Sequence, residues 1–172
     1  MPCWVEFENG DTTVTDYCGN VIYENGVAST LLTQYGYISL SDNKYHYFLQ
    51  DHQGNTRVVV DEDGKVEEVN QYYPFGGTFA SSVGSVQPYK YNGKELDRKG
   101  GLDWYDYGAR HYDAALGRFM TVDRFSEKYV SLSPYQYGAN NPVNNLDING
   151  DSIWYSVQDK VITMHLTAKV LK

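Results

Sequence analysis

Cysteine is nearly missing from this sequence. Cys3 and Cys18 are the only two in 172 residues and form no Cys-x-x-Cys pair. That excludes a disulfide scaffold and leaves either one bridge or, more simply, two plain thiols. Basic residues are short as well: 14 Lys and Arg stand against 22 Asp and Glu, for a formal net charge of −8. No basic cluster is dense enough to follow a phosphate backbone, so nucleic acid is not an expected partner. Residues 1–30 show no basic start leading into an apolar run, so no targeting signal is visible. Apolar runs stay far short of the ~20 residues that cross a bilayer, and no membrane span is expected.

Phenylalanine and methionine are few, at 6 and 3, whereas tyrosine reaches 17 and glycine 16. Apolar surface therefore comes largely from a ring with a polar tip, which packs against cross-strand neighbours while its hydroxyl finds a partner. A mainly β protein of antiparallel hairpins follows. Turn signals punctuate the chain at Asn9-Gly10, Gly19-Asn20, Asn25-Gly26, Gly54-Asn55, Asp63-Gly64 and Gly76-Gly77. Between them, 45–49, 56–60 and 66–73 have strand length and read as an antiparallel meander. Pro2-Cys3-Trp4-Val5-Glu6-Phe7 begins in mid-strand pattern, as expected of the edge of a longer array. Asp16-Tyr17-Cys18-Gly19-Asn20 and Asp51-His52-Gln53-Gly54-Asn55 share Asp-x-x-Gly-Asn, with Asp61-Glu62-Asp63-Gly64-Lys65 a looser copy, the self-similarity of a repeat array.

Residues 74–86 are small, polar and Gly-rich, and read as a surface loop. The aromatic rhythm resumes over 89–112. Near 126–131 the alternation lapses, which predicts at most a short helix capped by Ser126. After Gly150 the texture changes: Ile162, Met164, Leu166, Ala168 and Val170 alternate with polar residues, a strand expected to pair with 153–157.

One ordered set of blocks carries a resemblance. Tyr91-Asn92-Gly93-Lys94-Glu95 is followed by Tyr107-Gly108-Ala109-Arg110-His111-Tyr112-Asp113, then by Leu116-Gly117-Arg118-Phe119 and Asp123. Ser133-Pro134-Tyr135-Gln136-Tyr137-Gly138-Ala139-Asn140-Asn141-Pro142 and Asp147-Ile148-Asn149-Gly150 complete the series. Together they resemble the core domain associated with rearrangement-hotspot (RHS) repeats, and 45–76 resembles tyrosine-aspartate (YD) repeats. The resemblance divides the chain into 1–40, a partial repeat region; 41–88, YD-type hairpins; 89–150, the RHS core; and 151–172, the truncated start of a variable toxin region.

What the resemblance implies is a structural and encapsulating piece of a bacterial RHS polymorphic toxin, its core closing a hollow β shell around the toxin. The expected partners are the remaining RHS repeats and the C-terminal toxin of a parent chain, with an immunity protein against that toxin. The parent family is secreted or displayed at cell surfaces and serves interbacterial competition. In some members the core also cuts its own chain with two aspartates, in the manner of an aspartic protease. By motif these are Asp123 and Asp147, acting at the junction Asn149, Gly150 and Asp151. Such chemistry needs two carboxylates that share a proton. The alternative for both is structural, Asp123 in a turn and Asp147 as an Asx-turn former. The sequence departs from the family at three positions: Arg124 follows Asp123 where proline is common, Ile148 follows Asp147 where the junction usually has proline, and Asp151 follows Gly150 where leucine is frequent.

Arg110 and Arg118 are candidates to orient carboxylates bidentately, or alternatively to pin turns through Asp106 or Asp113. A third reading is a carbohydrate-binding surface, with Trp104, Tyr105, Tyr107 and Tyr112 stacking on sugar rings. No cofactor is expected and no metal site. His46, His52, His111 and His165 are scattered without zinc-ligand spacing, and Asp61, Asp63 and Glu67 lack the order of a calcium loop and read as an exposed turn.

Overall fold

The computed structural model describes residues 3–8, 11–80, 82–98, 101–128, 130–151 and 153–155. The fold is mainly antiparallel β, as the tyrosine and turn pattern predicts. Eight strands follow one another in one sheet: β1 (Cys3–Glu8), β2 (Asp11–Cys18), β3 (Val21–Glu24), β4 (Val27–Thr33), β5 (Gly36–Ser39), β6 (Lys44–Gln50), β7 (Thr56–Asp61) and β8 (Val66–Val69). A second sheet has the order β12-β11-β10-β9, from β9 (Glu95–Asp97), β10 (Trp104–Asp106), β11 (His111–Asp113) and β12 (Arg118–Phe119). The third pairs β13 (Asn145–Asp147) with β14 (Ile153–Tyr155). The strand expected at 162–170 lies outside the described residues. The described part of its expected partner, 153–155, lies antiparallel to 145–147.

The described residues fall into two compact units, one within Met1–Leu49 and Val58–Glu67, the other within Gln50–Arg57 and Glu68–Lys172. The first is a thin meander. Asn25-Gly26 closes β3 and β4 with both residues at positive φ, the two-residue turn whose twist matches the strands it joins. Along β6 the outward residues Tyr45, Tyr47 and Leu49 are exposed while His46 and Phe48 turn inward. His46 stacks on Tyr37 at 4.4 Å and hydrogen-bonds Glu67 at 2.6 Å. Ile22, Tyr37 and Val59 are its buried apolar residues among those described. Cys18 is an exposed free thiol.

The second unit is packed around tyrosines. Tyr91, Leu96, Tyr105, Tyr107, Tyr112, Phe119 and Tyr137 form one buried cluster. Their hydroxyls are not left dry. Tyr91, Tyr112 and Tyr105 donate to the carbonyls of Pro74, Phe75 and Gly76 at 2.9, 2.8 and 3.0 Å. The expected surface loop is exposed at Pro74 and over 83–86, but its start is not free: the 74–76 carbonyls receive three tyrosine hydroxyls and Gly76 is buried against them. Gly76 is required there: its φ is +88°, and a Cβ would stand 2.6 Å from the Tyr91 ring. Asn92 is the other anchor, its Oδ1 accepting from Tyr107 at 2.7 Å and Tyr137 at 2.6 Å.

Two of the three copies of the repeated Asp-x-x-Gly motif share one local structure. Asp51 Oδ1 accepts from the backbone of Gln53 and Asn55, and Asp61 Oδ1 from Asp63 and Lys65, all at 2.8–3.1 Å. Asp16 belongs to a different turn, since it pairs with Tyr23 across a two-residue connection. The short helix expected near 126 is a single 3-10 turn, Ser126–Lys128. Asp123 rather than Ser126 holds its entrance, accepting from Phe125 N at 2.7 Å through Oδ1 and from Ser126 N at 3.0 Å through its carbonyl.

Candidate functional site: the buried arginine and the 147–151 turn

Arg110 leaves the tight turn made by Gly108 and Ala109, where Tyr107 N donates to Arg110 O at 3.1 Å. This aims the side chain inward, and Arg110 is 5% exposed. Its Nη2 donates to Asp123 Oδ2 at 2.9 Å and lies 3.7 Å from Asp147 Oδ2. Nη1 donates to Pro134 O at 3.3 Å, and Nε donates to Gly150 O. The guanidinium also lies 3.8 Å from the centre of the Phe119 ring. Burial pulls Arg110 below its ordinary pKa, and Asp123, Asp147 and Asp151 oppose this by favouring the cation.

The two carboxylates picked out by motif are therefore together, though 24 positions separate 123 from 147. Both are buried and both face one nitrogen. Asp147 is also a turn former of the Asp51 and Asp61 kind. Its Oδ1 accepts from Asn149, Gly150 and Asp151 N at 3.1, 2.6 and 3.2 Å, and Gly150 takes φ +78° as Gly54 and Gly64 take +77° and +79°. A Cβ at Gly150 would come within 3.0 Å of Tyr107 and 3.1 Å of the Arg110 backbone, so the turn lies flush on 107–110. Ala109 N donates to Asn149 O at 3.1 Å there. Asp147 Oδ1 thus takes three backbone amides while its Oδ2 faces the guanidinium, a hydrogen-bonded clamp in which one cation meets two carboxylates; peptidase chemistry would require that pair to share a proton.

A family model described as the teneurin YD-shell matches residues 33–161, three quarters of the sequence. The chain belongs to the teneurin YD-shell family. It is an RHS/YD-repeat protein, and the match runs past Gly150 into the region where the texture changes. Salivary gland surface protein 1 of Aedes aegypti is 39% identical over 112 residues, which is 63% of this YD-shell chain and 3% of that protein. The tRNA3(Ser)-specific nuclease WapA of Bacillus spizizenii is 31% identical over 166 residues, 87% of this chain and 7% of that protein. The crystal structure of TcdB2-TccC3 without its hypervariable C-terminal region shares the fold, with a TM-score of 0.67 at 22% identity, covering 86% of this chain and 8% of that one. The YD-shell chain thus spans less than a tenth of the length of each.

Of the two candidate orienting arginines, Arg110 is in the clamp and Arg118 is not. Arg118 is exposed on β12 and lies over the Tyr135 ring at 4.9 Å. Asp106 and Asp113 do not engage Arg110; they accept from the backbone of Gly108 and of Ala115 and Leu116. Tyr105, Tyr107 and Tyr112 are buried in the core, which removes them from any sugar-stacking surface. Sequence reasoning missed one contact that it held the signal for: Arg124 and Asp151, two of the three departures from the family pattern, form an ion pair with each other. Opposite charges at these two of the unusual positions were that signal.

Proposed function

We propose that this YD-shell chain is the closing end of a bacterial RHS polymorphic toxin, a structural and encapsulating element that seals a shell and leads into a toxin segment. Within it, 41–88 act as YD hairpins, 89–150 as the RHS core and 151–172 as the start of the variable region. The single observation that carries this is the way one buried arginine gathers Asp123, Pro134, Asp147 and Gly150, so that the last turn before the variable region is tied to the core. The names of relatives support it, since one is a tRNA-specific nuclease and another a toxin subunit of Yersinia entomophaga. The partners proposed are the other repeats and the toxin of the parent chain, with a matching immunity protein. In the parent chain, Arg110→Ala is expected to expose the segment after residue 150 to protease concentrations that leave the unaltered protein whole. Equal resistance of the two would remove the closing role.

A second reading is self-cleavage at the 147–151 junction by Asp123 and Asp147. The observation in its favour is that Arg110 contacts both carboxylates while its Nε donates to the carbonyl of Gly150, which puts the pair beside the junction peptide. Intact mass of the parent chain, alone and with Asp123→Asn or Asp147→Asn, tests it. Two fragments meeting at the junction are expected only without the substitutions, and one uncut species in all three samples rules the cleavage out.

A further inference from the structure

A second buried polar group in the same unit is built differently. Glu68 on β8 is fully buried, and Lys90, Asn70 and Gln87 around it are 1%, 3% and 7% exposed. Glu68 Oε1 accepts from Lys90 Nζ, from Asn70 Nδ2 and, at 3.2 Å, from Gln87 Nε2, while Oε2 accepts from Val86 N at 2.9 Å. An amine and a carboxamide therefore meet on one carboxylate oxygen, away from water. Both are held from the backbone. Asn70 N donates to Arg57 O at 2.8 Å and its Nδ2 to Thr56 O at 3.2 Å. Lys90 N donates to Lys94 O at 2.9 Å, and Lys90 O accepts from Thr56 N at 3.0 Å. Burial lowers the pKa of the Lys90 ammonium, with Glu68 opposing, which favours the neutral amine that acts as a nucleophile.

We propose that Lys90 and Asn70 form an isopeptide bond between Lys90 Nζ and Asn70 Cγ, with Glu68 as the group that moves the protons. Starting from the ion pair, Glu68 takes a proton from the ammonium. The amine attacks Cγ, and a C–N bond forms as the carbonyl pair moves onto Oδ1. Glu68 then delivers its proton to Nδ2 and takes one from the attacking nitrogen. The pair on Oδ1 returns, the bond from Cγ to Nδ2 breaks, and ammonia departs with the last proton as ammonium. Glu68 ends as the carboxylate it began, and no oxidant or co-reactant is consumed. A buried ion pair by itself is often no more stabilising than apolar side chains of the same volume. The carboxamide on the same oxygen gives this one a chemical use: a covalent staple between the end of β8 and the start of the RHS core blocks.

Intact mass of the whole chain, measured in denaturant so that folding of the variants does not matter, tests the staple. The expected result is a deficit of one ammonia against the sequence mass. Glu68→Gln and Lys90→Arg should restore the full mass. After trypsin, 66–94 should appear as one looped peptide, because acylated Lys90 is not cut, with no backbone fragments between 70 and 90. A chain at its full sequence mass overturns the proposal, and so does a bridge found at Gln87. So does a deficit lost in mild alkali with Lys90 still cleavable, since that marks a succinimide at an Asn-Gly site such as Asn25-Gly26.

Discussion

The unit within Met1–Leu49 and Val58–Glu67 and the unit within Gln50–Arg57 and Glu68–Lys172 are both built from short antiparallel strands, yet they bury very different things. In the first, a sheet of consecutive strands is joined by ladder hydrogen bonds and tight turns. Among the described residues its buried apolar set is Ile22, Tyr37 and Val59, and β6 presents Tyr45, Tyr47 and Leu49 to solvent. In the second, strands of two or three residues are too short to be stable by pairing alone, and a tyrosine cluster supplies what the ladders lack. Because each ring carries a hydroxyl, that cluster also needs acceptors at defined places, and Asn92 with the carbonyls of 74–76 provides them. An apolar core would tolerate repacking of similar volume; a hydroxyl-bearing core specifies partners one by one.

The largest test of this contrast is alkaline pH. Burial raises the pKa values of Tyr72, Tyr91, Tyr105, Tyr107, Tyr112 and Tyr137 well above the ordinary value, all in the second unit. A raised folded-state value means that the unfolded chain releases these protons first. Their contribution is complete below about pH 10 and is lost above it, at roughly 1.4 kcal/mol per tyrosine per pH unit. The second unit should therefore unfold in one step soon above that pH, with tyrosinate absorbance and loss of β signal coinciding. Gradual ionisation with the sheet intact would mean that the rings are wet.

Next in size is the arginine clamp. Arg110→Ala leaves Asp123 and Asp147 buried without their cation, and should cost the second unit about 3–5 kcal/mol in urea unfolding. A loss under about 1 kcal/mol would show that water replaces the guanidinium. Asn92→Ala removes the acceptor of two buried hydroxyls and is expected to cost about 2 kcal/mol, more than Tyr107→Phe, which removes one hydroxyl along with its need for a partner. Least affected should be the first unit's open face. Tyr45→Ser and Tyr47→Ser are each expected to shift stability by no more than about 0.5 kcal/mol, and a drop beyond 1.5 kcal/mol would mean that this face is covered by something in solution.

Much of this was readable before any coordinates. Asp51, Asp61 and Asp147 each stand three residues before a glycine, and a carboxylate at that spacing accepts from the amides that follow it whatever surrounds the turn. The ordered blocks from Tyr91 to Gly150 likewise marked the family and named Asp123, Asp147 and Arg110. Less legible was the fate of 74–86. A Gly-rich polar composition describes an exposed loop, as 83–86 are, and a backbone held against tyrosine hydroxyls, as 74–76 are, equally well, and only the positions of Tyr91, Tyr105 and Tyr112 distinguish them. Arg118 failed for a related reason: alternation puts its side chain on the outer side of β12, while Phe119 takes the inner one.

The buried arginine turn shows where the division lies. Sequence alone determined the antiparallel β class, the strands at 45–49 and 56–60 and the hairpin turns, and offered Asp147 as a turn former, because those depend on residues within about five positions of each other, whereas 66–73, read as one strand, is a sheet strand only over Val66–Val69. Tertiary structure alone decided that Arg110 would face Asp123 and Asp147 rather than the nearer Asp106 and Asp113, that Arg124 would meet Asp151, and that Glu68 would gather Lys90 and Asn70. Each of those pairings joins residues brought close only when the chain packs, and inside that packing a charge must find its partner or remain outside.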